Sequence, residues 1–317
     1  MQIALILKGM AMGLAEAIPG VSGGTIAFIT GIYARLLNAI GSILSPKVIT
    51  AWKQDGISGA WKAADGFFIL QLGVGMVVGL GIAVVSITEL IEMYPPVVWA
   101  FFFGLIISSA IYVAKQVDSW NAINIILLIV GTVSAFVLTT INPLSGSSNL
   151  LLVFLAGSIA ISALILPGIS GSFILLILGM YTVVLNAVRS LAMGDLAAGA
   201  IVGVFALGCL VGLALFSRVL SYTFKTYPNR TLALLTGFMV GSLNKLWPWR
   251  NAVTYRENSA GEQVPLLEAT VLPADYTGGD PFLLAVIIAF LAGLIIVFAV
   301  DRFSPEKDEM DVIVEES

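Results

Sequence analysis

One short run of residues occurs twice at the same spacing. The first copy is Pro19-Gly20-Val21-Ser22-Gly23, which closes at Gly31-Ile32-Tyr33. The second is Pro167-Gly168-Ile169-Ser170-Gly171, which closes at Gly179-Met180-Tyr181. Over Pro19–Tyr33 and Pro167–Tyr181, eight of fifteen positions are identical. These residue types suit anion binding. Glycine lets backbone N–H groups approach a ligand closely, and Ser22 and Ser170 are placed to cap the helix that leaves each run. A helix N-terminus beside a glycine nest favours an anion, a phosphate most of all. Thr25, a turn beyond Ser22, and Ser172, beside Ser170, add hydroxyls. The bland reading is that Pro-Gly turns let hairpins pack tightly, but two identical spacings favour a site.

Few charged residues lie near these runs. Glu16 stands three residues before Pro19 in an apolar stretch, where an acid is costly and usually functional; the second copy has Leu164 there. It is a candidate to carry a coupling proton, or a helix-end acid reaching water. Arg35 and Arg218 are candidate phosphate partners, with Arg189 behind them, and each could equally be a snorkelling anchor. Lys245 and Arg250 flank Trp247-Pro248-Trp249, which reads as an interfacial aromatic belt. The chain has no histidine, which argues against a Ser-His dyad or a His-ligated metal. Its single cysteine, Cys209, permits no internal disulfide. No Walker motif or nucleotide domain is evident. The residues imply neither a metal nor another cofactor, no nucleic-acid partner, and no enzyme active site.

The elements that must position these groups are membrane helices. The 317 residues are 59% hydrophobic and 11% charged, with mean hydropathy +1.02; soluble domains carry about 25% charged residues. The net charge of −4 comes from Glu306–Ser317, where six acids and one lysine give −5. The N-terminal apolar run Ile3–Ile18 carries Lys8 and leads into the first motif, so it reads as mature structure rather than a signal peptide. Proline with two glycines cannot continue a helix. Each motif therefore breaks an apolar run at a depth where lipid cannot satisfy the exposed backbone. Arms 3–18 and 22–43 flank the first break, and arms 150–166 and 170–187 the second. A polar, amphipathic connection follows at 45–65, with Lys47, Lys53, Lys62, Trp52 and Trp61. Spans are expected near 66–89, 97–114 and 122–141, then near 198–220, 231–246 and 282–300. The stretch 251–280 is less regular and has no counterpart in the first half.

The chain is thus expected to be an all-α integral membrane protein of two inverted repeats. Each repeat is a re-entrant helical hairpin plus three transmembrane helices: residues 1–142 and 143–301, followed by an acidic cytoplasmic tail, 302–317. Tyr94-Pro95 and Gly104 match Tyr227-Pro228 and Gly237 at an offset of 133, as Gly75 and Gly79 match Gly208 and Gly212. Glycines 73, 75, 79 and 81, and 203, 208 and 212, read as small packing faces. An odd number of crossings per half inverts the second. With the N-terminus inside, eleven Lys and Arg fall on the cytoplasmic side against four outside. Both termini are then cytoplasmic. Pairs of full spans in place of the hairpins would fit the same charge split.

Lys8-Gly9, Met12-Gly13, Glu16, Ile18 to Thr25 and Gly31-Ile32-Tyr33 carry a resemblance, together with Leu166 to Phe173 and Gly241-Ser242…Leu246-Trp-Pro-Trp249. With these residues the chain resembles the bacterial polyprenyl-phosphate transporter family (PopT), long catalogued as a domain of unknown function. The likeness runs to about residue 301. It implies a multi-pass protein of the bacterial cytoplasmic membrane that returns undecaprenyl phosphate from the outer to the inner leaflet for peptidoglycan and other envelope polymers. The family's motif residues fall on Glu16, Pro19, Gly20, Ser22, Gly23, Pro167, Gly168, Ser170 and Gly171; many members carry Asp in place of Glu16. No residue reports a prenyl tail. A small-anion channel or transporter would use the same helix-end chemistry, and a membrane enzyme acting on a lipid phosphate is a third reading. The expected partners are undecaprenyl phosphate, membrane lipids and, through Glu16, protons.

Overall fold

The computed structural model describes residues 3–16, 22–43, 45–141, 144, 146–257 and 263–303. Pro19 and Gly20, part of the joint between the halves, and the acidic tail from residue 304 lie outside them. The first half comprises α1 (Ile3–Glu16), α2 (Gly23–Ile29), α3 (Tyr33–Ser42), α4 (Pro46–Ala63), α5 (Gly66–Met93), α6 (Pro95–Lys115) and α7 (Ala122–Thr140). The second half comprises α8 (Leu150–Ile165), α9 (Gly171–Ile177), α10 (Tyr181–Ala192), α11 (Gly199–Thr226) and α12 (Pro228–Ser242). It continues through β1 (Arg250–Glu257), β2 (Gln263–Thr270) and α13 (Leu283–Phe303). Among the described residues four helices are long and apolar enough to cross a membrane, or up to six if each bent pair after a motif is one span. The protein is an all-α membrane protein carrying a small antiparallel β-hairpin, which accounts for much of the irregular 251–280 stretch.

The helix ends follow from local chemistry. Ser45, Asn121 and Asn149 each accept a hydrogen bond from a backbone N–H of the first turn of α4, α7 and α8. Tyr94 and Tyr227 adopt nearly the same backbone angles (φ −136°, ψ 52° and φ −139°, ψ 57°) before the prolines that open α6 and α12. The outgoing arms expected at 22–43 and 170–187 each consist of two helices. Each bends sharply, by 119° between α2 and α3 and by 107° between α9 and α10. Gly31 and Gly179 sit at the bends with φ of 73° and 68°, a left-handed conformation open to glycine. The turned-off helices α3 and α10 are amphipathic, which suits them to lie along an interface rather than to continue inward.

The long helices pack in glycine-lined pairs. Ile6 lies against Gly75 and Met10 against Gly79, so α1 and α5 run in the same direction. Phe154 against Gly208 and Ser158 against Gly212 do the same for α8 and α11. Leu128 and Thr132 of α7 meet Gly237 and Gly241 of α12, while Phe101 of α6 meets Gly293 of α13. At each of these glycines an added Cβ would overlap a backbone carbonyl. Helices without a hydrophobic drive between them associate through such close contact. The pairings are equivalent in the two halves: each motif hairpin docks on its own long helix, and α6 and α12 each pair with the last helix of the other half. Gly73, Gly81 and Gly203 do not join these seams; nothing lies within 4 Å of a Cβ built on them.

Candidate functional site: two interlocked hairpin tips

The two motifs meet. Ser22 Oγ lies 3.1 Å from the carbonyl oxygens of both Leu164 and Leu166 at the second tip, placed to donate to either. Across the same junction the Gly168 N–H donates to Thr25 Oγ1 at 3.1 Å, and Tyr33 Oη donates to the Ile165 carbonyl at 3.1 Å. Gly24 packs so closely on the Ile165 carbonyl that a Cβ would overlap it. Ser22, Thr25 and Ser170 are buried. Buried polar groups of this kind require partners, and Ser22 and Thr25 find theirs in the opposite half.

The two tips are satisfied differently. At the first, Ser22 Oγ accepts from the Gly24 N–H at 3.1 Å, the expected cap, and Glu16 Oε1 accepts from the Gly23 N–H at 2.6 Å. Glu16 is therefore a partner of the motif itself. At the second tip the expected Ser170 cap does not form. Ser172, where the first copy has Gly24, offers a hydroxyl 2.9 Å from Ser170 Oγ and takes the place of the backbone N–H. Leu164 cannot do for Gly171 what Glu16 does for Gly23, and among the described residues no acceptor is paired with the Gly171 N–H. A cavity opens beside the second tip, lined by Gly168, Ser170, Phe173, Thr139 and Lys245.

The arginines singled out in the sequence lie elsewhere. Arg35 donates to Asp65 through Nε at 2.7 Å and Nη2 at 3.2 Å, with its guanidinium 4.4 Å from the centre of the Phe68 ring. Arg218 Nε donates to the Gly41 carbonyl at 3.4 Å, at the end of α3. Neither contact involves a tip.

Two cations nearer the second tip escaped the sequence reading as site residues. Lys245 Nζ lies 5.4 Å from the Phe173 ring centre and 3.4 Å from Glu268 Oε2. Arg250 Nη1 lies 2.8 Å from the same carboxylate oxygen, and the Arg250 side chain is 6% exposed. Burial pulls the Arg250 guanidinium below its ordinary pKa range, opposed by the carboxylate of Glu268. The β-hairpin explains the pair: Glu268 stands opposite Ala252, so Arg250, two residues away on the same face, meets it diagonally. Trp247 and Trp249, expected in an interfacial belt, are both tied into the protein. Their indole N–H groups donate to the carbonyls of Val271 (2.8 Å) and Pro281 (3.0 Å), pinning the segment after β2 to the helices.

Comparison with known proteins places this architecture. A family model described as undecaprenyl phosphate translocase-like matches residues 12–264. A protein of Vibrio cholerae serotype O1, named a polyprenyl-phosphate transporter, is 39% identical over 301 residues, 94% of this chain and 96% of its own. A Staphylococcus aureus protein of the same name is 32% identical over 255 residues, covering 77% of this chain and 85% of its own. No solved structure matches the chain. The matched region takes in both tips and the Lys245–Arg250 segment, and the chain belongs to the undecaprenyl phosphate translocase-like family.

Proposed function

We propose that the protein moves undecaprenyl phosphate, or a related polyprenyl phosphate, from the outer to the inner leaflet of the bacterial cytoplasmic membrane, supplying the lipid carrier for envelope polymers. The relatives are named as transporters of this lipid class. The observation that carries the reading is the junction between the motifs, where Ser22 and Thr25 bond the backbone of the second tip. A polyprenyl phosphate has one dense charge and a tail already at home in lipid. A carrier therefore needs a polar route for the head group alone, and broken helices with uncommitted N–H groups supply it.

On this reading residues 1–142 and 143–301 are inverted repeats. The phosphate passes between the tips, held by Pro19, Gly20, Ser22, Gly23 and Thr25 on one side and Pro167, Gly168, Ser170, Gly171 and Ser172 on the other. Arg35 and Arg218 meet it at the cytoplasmic face. The tips differ as two ends of a path would: the first has its amides held by Glu16 and Ser22, while the second borders a cavity. Exchange of these roles would pass the head group inward.

Two measurements test this. Purified protein in liposomes is expected to flip a labelled polyprenyl phosphate much faster than the corresponding alcohol, without carrying inorganic phosphate. Uptake of inorganic phosphate with no lipid flipping would make it a small-anion transporter. For the orientation, cysteines at Ile57 in α4 and Met193 after α10, both strongly exposed, are introduced with Cys209 replaced. Ile57→Cys should react with an impermeant reagent from the cytoplasmic side and Met193→Cys from the outside; labelling from one common side would overturn the inversion.

A further inference from the structure

We propose that Lys245, Arg250 and Glu268, with the apolar groove beside them, form an outer docking site for a lipid phosphate, distinct from the tips. The phosphate would meet the two cations, and the first isoprenoid units would occupy the groove. The proposal rests on the transport reading above for its ligand class. It stands on the following geometry for its place.

Two cations share one carboxylate oxygen, leaving the cluster one positive charge in excess. Arg250 is almost wholly buried, yet among the described residues its Nε and Nη1 donate no well-aligned hydrogen bond. Glu268 balances part of its charge and satisfies little of its donor fork. The guanidinium face stacks on Trp99, 4.4 Å from the ring centre, but its edge donors Nε and Nη1 are left without aligned acceptors. Buried donors of this kind are expensive, and a tetrahedral oxyanion is a ligand their geometry fits. The cavity that Arg250, Lys245 and Glu268 line also includes Thr139, Asn244 and Thr270, a hydroxyl- and amide-bearing wall. Through Lys245 and Thr139 it adjoins the cavity at Ser170.

The groove is the second observation. It has a volume of about 430 Å³ and is lined by Phe103, Leu243, Trp247, Val271 and Leu272. Asn244 and Thr270 border both groove and polar cavity, so apolar and cationic walls meet at one edge. A free phosphate would use only the cavity, and a prenyl alcohol only the groove. A prenyl phosphate would use both. Glu268 then competes with the ligand for the same two cations, which gives the site a signature that a purely structural ion cluster lacks.

The probe is farnesyl phosphate, compared with farnesol and inorganic phosphate, on full-length protein in nanodiscs. Glu268→Gln should bind farnesyl phosphate at least threefold more tightly than wild type and gain more thermal stability from it. Lys245→Gln should bind it at least tenfold more weakly with farnesol binding unchanged; Arg250→Lys, which keeps a charge, should fall between. Equal affinity for inorganic and farnesyl phosphate would overturn the groove's part. Weaker or unchanged binding in Glu268→Gln, or wild-type binding in Lys245→Gln, would overturn the site. Flipping of polyprenyl phosphate by the same wild-type sample is measured alongside: its absence defeats the transport reading, whereas normal flipping with unaltered binding in the variants defeats only this site.

Discussion

Gly24→Ala is expected to reduce flipping of polyprenyl phosphate at least tenfold, while Gly73→Ala leaves it at the wild-type rate. The Cβ added at Gly24 would overlap the Ile165 carbonyl, which is backbone of the opposite hairpin and cannot rotate away. The same carbonyl accepts the Tyr33 hydroxyl, so moving it disturbs a second bridge. Relief requires the tips to part, loosening the bonds from Ser22 to Leu164 or Leu166 and from Gly168 to Thr25. Overpacking costs about 1–3 kcal/mol, and each weakened hydrogen bond about 0.5–1.5 kcal/mol. At Gly73 nothing lies within 4 Å of the new methyl, and alanine is the better helix former. Gly23→Ala should be milder than Gly24→Ala, because the nearest atom is Glu16 Oε1 at 2.9 Å, the end of a side chain that can shift. Flipping rates on variants of matched thermal stability decide the matter. A normally folded Gly24→Ala protein that flips at the wild-type rate would show that the interlock is dispensable.

Gly24 illustrates what the sequence does and does not expose. The break at Pro167, and the end of α1 at Glu16 ahead of Pro19, are legible because proline and glycine act locally, whatever surrounds them. The long helices and their Tyr-Pro junctions are legible for the same reason; α5, α6 and α7 lie within about four residues of the expected spans, while α11 runs on to Thr226, past the expected end at 220. The bends at Gly31 and Gly179 are visible as glycines, but a glycine permits a turn without fixing its angle. At the first bend Tyr33 bonds the Ile165 carbonyl of the other half, a partner that no local sequence reveals. Ser22 and Ser170 look identical in the motif and act differently because Ser172 replaces Gly24 two residues on. Lys245 and Arg250 were visible as charges beside tryptophans. Their shared partner Glu268 was not, because only the register of a hairpin with no counterpart in the first half brings it there.

Glu16 should separate charge from capping when it is changed in two ways. Its carboxylate accepts the Gly23 N–H at 2.6 Å, at the start of a seven-residue helix whose next amide is taken by Ser22. A phosphate approaching the first tip meets this carboxylate before it can reach the amide. While the acid is charged, two anions compete for one donor; a proton on Glu16 removes the repulsion and weakens its hold on the amide. Uptake of the head group at this tip is therefore proposed to require a proton, which couples lipid movement to the proton gradient. Glutamine keeps an acceptor for Gly23 and removes the charge. Glu16→Gln should fold as wild type does, bind polyprenyl phosphate, and flip it at a rate that no longer responds to an imposed proton gradient. Alanine removes the acceptor as well. Glu16→Ala should lose about 1 kcal/mol of stability, the usual cost of a lost cap, and flip at least tenfold more slowly with or without a gradient. The readout is the ratio of flipping rates with and without the gradient, on liposomes holding equal amounts of each variant. A ratio in Glu16→Gln as large as that of wild type would leave Glu16 a cap and nothing more.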